Sequence, residues 1–343
     1  MAESADPNGK LTTGFGTQGY IPPGTAIPYT IYFENQSSAT APAEKVVVTD
    51  PLPAGLDWST VQLNQIQFNN VTIDVPGSLQ SYTGQVNVST DPNPVNVSAS
   101  LNPSTGVLTW TMQSVDPTTG GLPANPMAGF LPPNNAGNQG TGFVTFTVSP
   151  KASLGNAAVI GNQASIVFDV NAAIATNTVT NTIDSTVPTS AVSALPATAT
   201  SNSFTVSWAG SDANGSGIAG YNIFFSADGG AYAVWLSNTT QTSATFTGVA
   251  GHSYSFYSLA VNNVGTVQTA PGPVQTTAIP QPTGGLCAVT GDLTASVADV
   301  QMMVNEALGV AATHHDMNAD GKVNVIDVQI VIEAALQMGC AAN

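Results

Sequence analysis

The chain has 343 residues, 42% of them hydrophobic and only 7% charged, with a formal net charge of −16 at pH 7. All four basic residues are lysines (Lys10, Lys45, Lys151 and Lys322), so no basic stripe exists to neutralise phosphates. That excludes nucleic acid as a partner and disfavours anionic membrane surfaces; a divalent cation suits such a chain better.

The length allows two or three domains. Met1-Ala-Glu-Ser-Ala-Asp-Pro7 lacks the apolar run of a signal peptide, so the start reads as the boundary of a mature chain cut from a longer exported polypeptide. No stretch of about 18 apolar residues is present to span a bilayer.

From about Ala26 to Thr182 the pattern is short period-2 runs punctuated by Pro, Gly and Asn. Examples are Tyr29–Phe33, Val46–Thr49, Val107–Thr111, Phe143–Val148 and Ala164–Phe168. Alternating β-branched and aromatic residues bounded by turn signals predict an all-β sandwich over residues 1–184. Residues 116–141, rich in Gly, Pro and Asn, predict a long loop between strands. The strand ending at Asn35 and the following Val46-Val-Val-Thr-Asp-Pro-Leu-Pro53 resemble the repeat-type Ig-like domain of bacterial surface proteins. Some surface Ig-like domains carry an intramolecular Lys–Asn isopeptide, and Lys45, leading a buried-looking strand, is the lysine the sequence offers for one.

A second sandwich is predicted over residues 185–279, marked by Phe204–Trp208, Ile218–Phe225 and Tyr254–Val261. This run resembles a fibronectin type III domain. The resemblance implies that Trp208 is a core tryptophan of an early strand, that Tyr221 begins the core face of the third, and that Tyr254 is the corner tyrosine. Pro and Gly from Pro271 onward read as a stiff solvated linker. Its last part, residues 280–285, separates the sandwiches from residues 286–343, where the hydrophobic period switches from 2 to 3.6.

The C-terminal segment contains an internal repeat: Asp299 matches Asp327, Val300-Gln301 match Val328-Gln329, and Ala307-Leu308 match Ala335-Leu336. Val300, Met303, Val304, Ala307 and Leu308 form one apolar stripe; Val328, Val331, Ile332, Ala335 and Leu336 form the other. This spacing predicts two amphipathic helices that bury their faces together. Before the second helix, residues 316–327 place oxygen donors where an EF-hand calcium loop needs them. Asp316, Asn318 and Asp320 stand at positions 1, 3 and 5, the backbone carbonyl of Lys322 at 7, Asn324 at 9 and Asp327 at 12, with Gly321 making the turn at 6. In the first copy Ala288, Thr290 and Leu293 stand at positions 1, 3 and 6, and only Asp292 and Asp299 keep carboxylates. One bound Ca²⁺ is expected.

The block from Cys287 to Cys340 resembles a type I dockerin with its second repeat intact and its first degenerate. Cys287 and Cys340, bracketing the segment, suggest a disulfide and an oxidising compartment; closing a loop of about 50 residues contributes about 4 kcal/mol on chain-entropy grounds. The dockerin resemblance implies that Val297, Ala298, Val325 and Ile326 face a cohesin-like partner, with packing on the preceding β-domain as the alternative.

His314-His315 offers too few ligands for zinc. Asp6, Asp169, Asn171 and Asp184 fall near candidate domain ends, where a second calcium could lie. No G-x-S-x-G, H-E-x-x-H or phosphate-binding Gly loop is present, so the expectation is a non-catalytic, mainly β, secreted or cell-surface structural or adhesion protein. It would dock to a cohesin-like domain or to a neighbouring copy of itself, as a filament subunit would. The alternative is a carbohydrate-binding accessory of a polysaccharide-degrading assembly, with Trp58, Trp110 and Trp235 as a stacking platform.

Overall fold

The computed structural model describes residues 8–280, 285–292 and 294–342. The chain is mainly β and divides into two compact units, Met1–Thr186 with Asn214–Ser216, and Val187–Ala213 with Gly217–Asn343.

The first unit contains, among the described residues, β1 (Lys10–Thr12), β2 (Tyr20–Ile21), β3 (Ile27–Glu34), β4 (Lys45–Pro51), β5 (Leu56–Phe68), β6 (Val71–Asp74), β7 (Ser81–Val86), β8 (Val95–Asn102), β9 (Val107–Ser114), β10 (Thr141–Pro150), β11 (Val159–Asn162), β12 (Ser165–Phe168), β13 (Ile174–Ala175) and β14 (Val179–Ile183). A five-stranded sheet in the order β1-β3-β10-β5-β6 and a six-stranded sheet in the order β13-β12-β4-β9-β8-β7 carry the core, with a small sheet β11-β14-β2 beside them. Among the described strands of this unit, β14 and β2 pair in parallel and the rest antiparallel.

Strict alternation builds these strands. In β10 every second residue, including Val144, Phe146 and Val148, is buried; β3 does the same with Ile27, Tyr29, Ile31 and Phe33. The inward faces meet in one core, where Phe146 lies 5.2 Å from Tyr29 and 5.6 Å from Trp110 between ring centroids. The loop between β9 and β10 is irregular, as its composition predicts, yet it is anchored. Phe130 and Leu131 are fully buried, and their carbonyls accept from Asn69 Nδ2 (3.0 Å) and Asn35 Nδ2 (2.9 Å).

The second unit begins with β15 (Thr189–Val192), β16 (Ser203–Ser211), β17 (Ile218–Ala227), β18 (Ala233–Thr239), β19 (Ser243–Thr247), β20 (Ser253–Asn262) and β21 (Gln275–Ala278). They form a three-stranded sheet, β15-β16-β19, and a four-stranded one, β18-β17-β20-β21. Trp208 and Tyr221 are buried in the shared core. The Tyr254 hydroxyl accepts the Val249 amide at 2.8 Å, which closes the tyrosine corner expected from the sequence. One expectation is corrected: Gln275–Ala278 is the final strand rather than linker, because its backbone completes the edge of β20. Most of residues 280–285 lie outside the described residues.

The chain ends with α1 (Val297–Ala307) and α2 (Val325–Ala335). Met303, Val328 and Val331 lie at their contact, with Met317 and Cys287. Cys287 and Cys340 form a disulfide. Leu308 and Leu336, expected in the buried stripes, are instead the C-cap residues, 72% and 65% exposed. Each helix ends one residue before the stripe does, which swings those side chains outward.

Tyr254→Phe removes the corner hydrogen bond while keeping the ring in place. Denaturant unfolding of the second sandwich should show a loss of about 1 kcal/mol.

Candidate functional site

The two helix entries superimpose in sequence but differ in how each buries its acid. Asp299 and Asp327 occupy the third helical position of α1 and α2, both with no solvent exposure. Each closes a capping box, Asp299 with Ser296 and Asp327 with Asn324. A buried carboxylate is tolerated when its oxygens are hydrogen-bonded, and it has about four acceptor positions to fill.

In the first copy all four are filled. Asp299 Oδ1 accepts the backbone amide and the hydroxyl of Thr290, each at 2.7 Å, and Oδ2 accepts the amide and hydroxyl of Ser296, each at 2.7 Å. Burial works against the Asp299 charge, but these donors hold its carboxyl below the usual carboxylate range.

In the second copy the hydroxyls are replaced by amides that point elsewhere. Asp327 accepts only backbone N–H groups: Met317 (2.8 Å) and Asn318 (3.2 Å) at Oδ1, and Asn324 (2.8 Å) at Oδ2. The side chains of Asn318 and Asn324 donate instead to Asp320 Oδ2, at 3.2 and 3.4 Å. Asp327 therefore keeps acceptor capacity that Asp299 has lost.

The rest of residues 316–327 is organised by the same acids. Asp316 accepts the amides of Asp320 (3.2 Å) and Gly321 (2.7 Å), and Asp320 Oδ1 accepts that of Lys322 (2.9 Å). Ala319 at φ 56° and Gly321 at φ 85° supply the left-handed turns that fold the loop back on itself. Among the described residues no group of three or more His, Cys, Asp or Glu side chains converges as a metal cluster, so Asp316, Asp320 and Asp327 do not form one. The donor set, carboxylate and amide oxygens with the Lys322 carbonyl, has the hard-oxygen chemistry calcium requires. Position 6 of the first copy, Leu293, lies outside the described residues.

Of the docking residues named from sequence, Val297, Val325 and Ile326 are 83%, 76% and 53% exposed, and Ala298 is exposed as well. They occupy the first two positions of each helix. His315 has a structural role that its sequence did not reveal. Its Nδ1 lies 2.7 Å from Glu306 Oε1, and the amides of His314 and His315 donate to Glu306 Oε2 at 2.9 and 3.1 Å. The buried end of α1 is thereby tied to the loop that leads into residues 316–327.

Three other expectations concern tryptophans, acids near domain ends and Lys45. Trp110 is fully buried, Trp235 packs against Trp208, Phe246 and Phe256, and Trp58 packs on the first core over Gly106. Trp110 is thereby withdrawn from any stacking platform, while Trp58 and Trp235 stay partly exposed at the edges of the two cores. Asp169 caps the amides of Glu44 and Lys45, each at 2.8 Å, Asp184 accepts those of Thr186 and Ser216, and Asp6 lies outside the described residues. Lys45 is only half-buried; the lysine without exposure is Lys10, which pairs with Asp50 inside the first core.

Residues 190–277 match the fibronectin type III domain, and residues 6–90 and 128–182 match a domain of unknown function, DUF7619. No curated protein matches the chain. Similar solved structures include the fibronectin(III)-like modules of Clostridium thermocellum CbhA, at 10% identity over 79% of this chain and 94% of that one, with a TM-score of 0.27. The C-terminal domain of the Streptococcus agalactiae AgI/II polypeptide BspA matches at 12% over 79% and 100%, with a TM-score of 0.34. Domains D2 and D3 of the major pilin SpaD from Corynebacterium diphtheriae match at 12% over 83% and 94%, with a TM-score of 0.30.

Despite burial, hydrogen bonds from Thr290 and Ser296 to Asp299, and from His314 and His315 to Glu306, hold these carboxyls below the usual range, so both contribute to the acid sensitivity of the helical segment. As pH falls through about 4 the unfolded chain takes up protons first, so the stability these groups contribute is full above that value and is lost below it. NMR titration of both side-chain carboxyls should find them protonating below ordinary Asp and Glu, with α1 losing its native signals in the same range.

Proposed function

We propose that this chain is a non-catalytic, extracellular or cell-surface structural or adhesion protein. In this reading its dockerin-like C-terminal segment binds one Ca²⁺ through Asp316, Asn318, Asp320, the Lys322 carbonyl, Asn324 and Asp327. The ion would fix α2 against α1, and the exposed Val297, Ala298, Val325 and Ile326 would then dock on a protein, either a cohesin-like domain or a neighbouring copy of the chain. A contact between copies that does not close on itself generates filaments.

The observation that carries this reading is the unequal filling of the two buried acids. Asp299 has its acceptor positions taken by two hydroxyls and two amides, whereas Asp327, in an otherwise matching capping box, has three backbone donors only. On this reading the first loop holds together without an ion and the second takes one up. The extracellular assignment draws support from the disulfide. Among the described residues no helix is long and apolar enough to cross a membrane.

Calorimetric titration with calcium should give one binding event, abolished in Asp320→Ala and retained in Thr290→Val; undiminished heat in Asp320→Ala would remove the loop from the reading. Pull-down with calcium and with chelator separates the docking claim. Capture of a cohesin-like domain or of the chain itself should require calcium and fail in Ile326→Asp, and capture indifferent to both would contradict it.

A further inference from the structure

Lys10, Asp50 and Asn162 come from three different sheets and meet inside the first core, all at or below 2% exposure. Lys10 Nζ pairs with Asp50 Oδ2, and the Asn162 carboxamide lies 3.5 Å from that same oxygen through Nδ2. The ammonium sits over two rings, 4.6 Å from the Tyr29 centroid and 5.5 Å from that of Phe146. The Lys10 backbone is clamped as well: its amide donates to Asn177 Oδ1 at 2.8 Å, and Asn177 Nδ2 donates to its carbonyl at 3.0 Å.

As a mere ion pair this arrangement is poor. Two charges are taken out of water, and Asp50 Oδ1, Asn162 Oδ1 and the Tyr29 hydroxyl are buried with no hydrogen-bond partner among the described residues. Burial lowers the Lys10 ammonium to about 8 against the pull of Asp50, and burial raises the Asp50 carboxyl. Both changes favour a neutral amine beside a neutral acid. An amine lone pair, an amide carbonyl and an acid held together in a dry site are the components of amide exchange.

We propose that Lys10 and Asn162 become joined by an intramolecular isopeptide bond, with Asp50 as the proton carrier. The Lys10 Nζ lone pair attacks Asn162 Cγ, and the carbonyl π pair moves to Oδ1, which takes the Asp50 proton. Asp50 then removes a proton from Nζ and passes it to Nδ2. Collapse re-forms the carbonyl, returns the Oδ1 proton to Asp50, breaks the Cγ–Nδ2 bond and releases ammonia. The acid ends as it began, and no oxidant, reductant or cofactor is consumed. The product amide offers an N–H and a C=O to a carboxylic acid that can accept one and donate to the other. This bond would tie β1 to β11 within the first unit, and it stands independently of the calcium loop.

The intact mass of the purified full-length chain, with Cys287–Cys340 oxidised, should fall short of the sequence mass by one ammonia. Proteolysis should yield a branched peptide joining Lys10 to Asn162. A wild-type chain at full sequence mass would overturn the proposal. So would an ammonia loss that maps to a succinimide at an Asn-Gly step such as Asn214-Gly215. Folded Asp50→Ala protein should keep its ammonia; the same branched peptide in that variant would overturn the role given to Asp50.

Discussion

The constraint on which much of this structure turns is the burial of carboxylates in a chain that has almost no cations to pair with them. Four lysines face twenty acidic residues, and yet Asp50, Asp91, Asp299, Glu306 and Asp327 are all buried. An unpaired charge in an apolar interior costs several kcal/mol, so each acid needs another source of compensation. Asp50 lies against the one buried lysine, where burial favours its neutral acid form. Asp91 takes the Ser114 hydroxyl at 2.6 Å with the amide and side chain of Asn93. Glu306 takes two backbone amides and a histidine ring. The two helix-capping aspartates take the N-cap amides of Ser296 and Asn324 together with donors from the preceding loops, Thr290 and the Ser296 hydroxyl for Asp299 and the Met317 and Asn318 amides for Asp327.

That economy explains why the helical segment can have one copy that looks decayed and still fold symmetrically. The first copy carries Thr290 and Ser296 hydroxyls on Asp299 where the second has Asn318 and Asn324, and the capping geometry of α1 and α2 is the same. The disulfide between Cys287 and Cys340 closes the segment beside the first copy. Under the proposed function, stability in the first half comes from hydroxyls and sulfur, and in the second half from an ion. The exposed apolar pairs at the start of each helix are left free for a partner.

Much of the fold was legible because a sheet with one buried face writes its period directly into the sequence. The runs around Tyr29, Trp110, Phe146, Trp208 and Tyr254 all became strands with those residues inward. Legibility failed where the local signal and the tertiary outcome differ. Gln275–Ala278 lies among prolines that suggest linker, but its backbone is the missing edge of a sheet. Leu308 and Leu336 continue an apolar period that the helices themselves do not continue. Lys10 sits in a three-residue strand with no pattern to mark it as buried, whereas Lys45 precedes a long valine run and looked the better candidate. Its partners Asp50 and Asn162 are distant in sequence, and only the folding of three sheets together brings them into contact. The contrast between Asp299 and Asp327 could not be read from spacing, since it depends on where four small polar side chains point.

The central claim is that the two buried capping aspartates are compensated differently, one by protein hydroxyls and one with capacity left for calcium. The most direct measurement is a calcium titration of the isotopically labelled chain followed by backbone amide NMR. The account predicts that amides of residues 316–327 shift and saturate while those of Thr290, Ser296 and Asp299 stay in place. Equal shifts in both loops, or none in either, would contradict it.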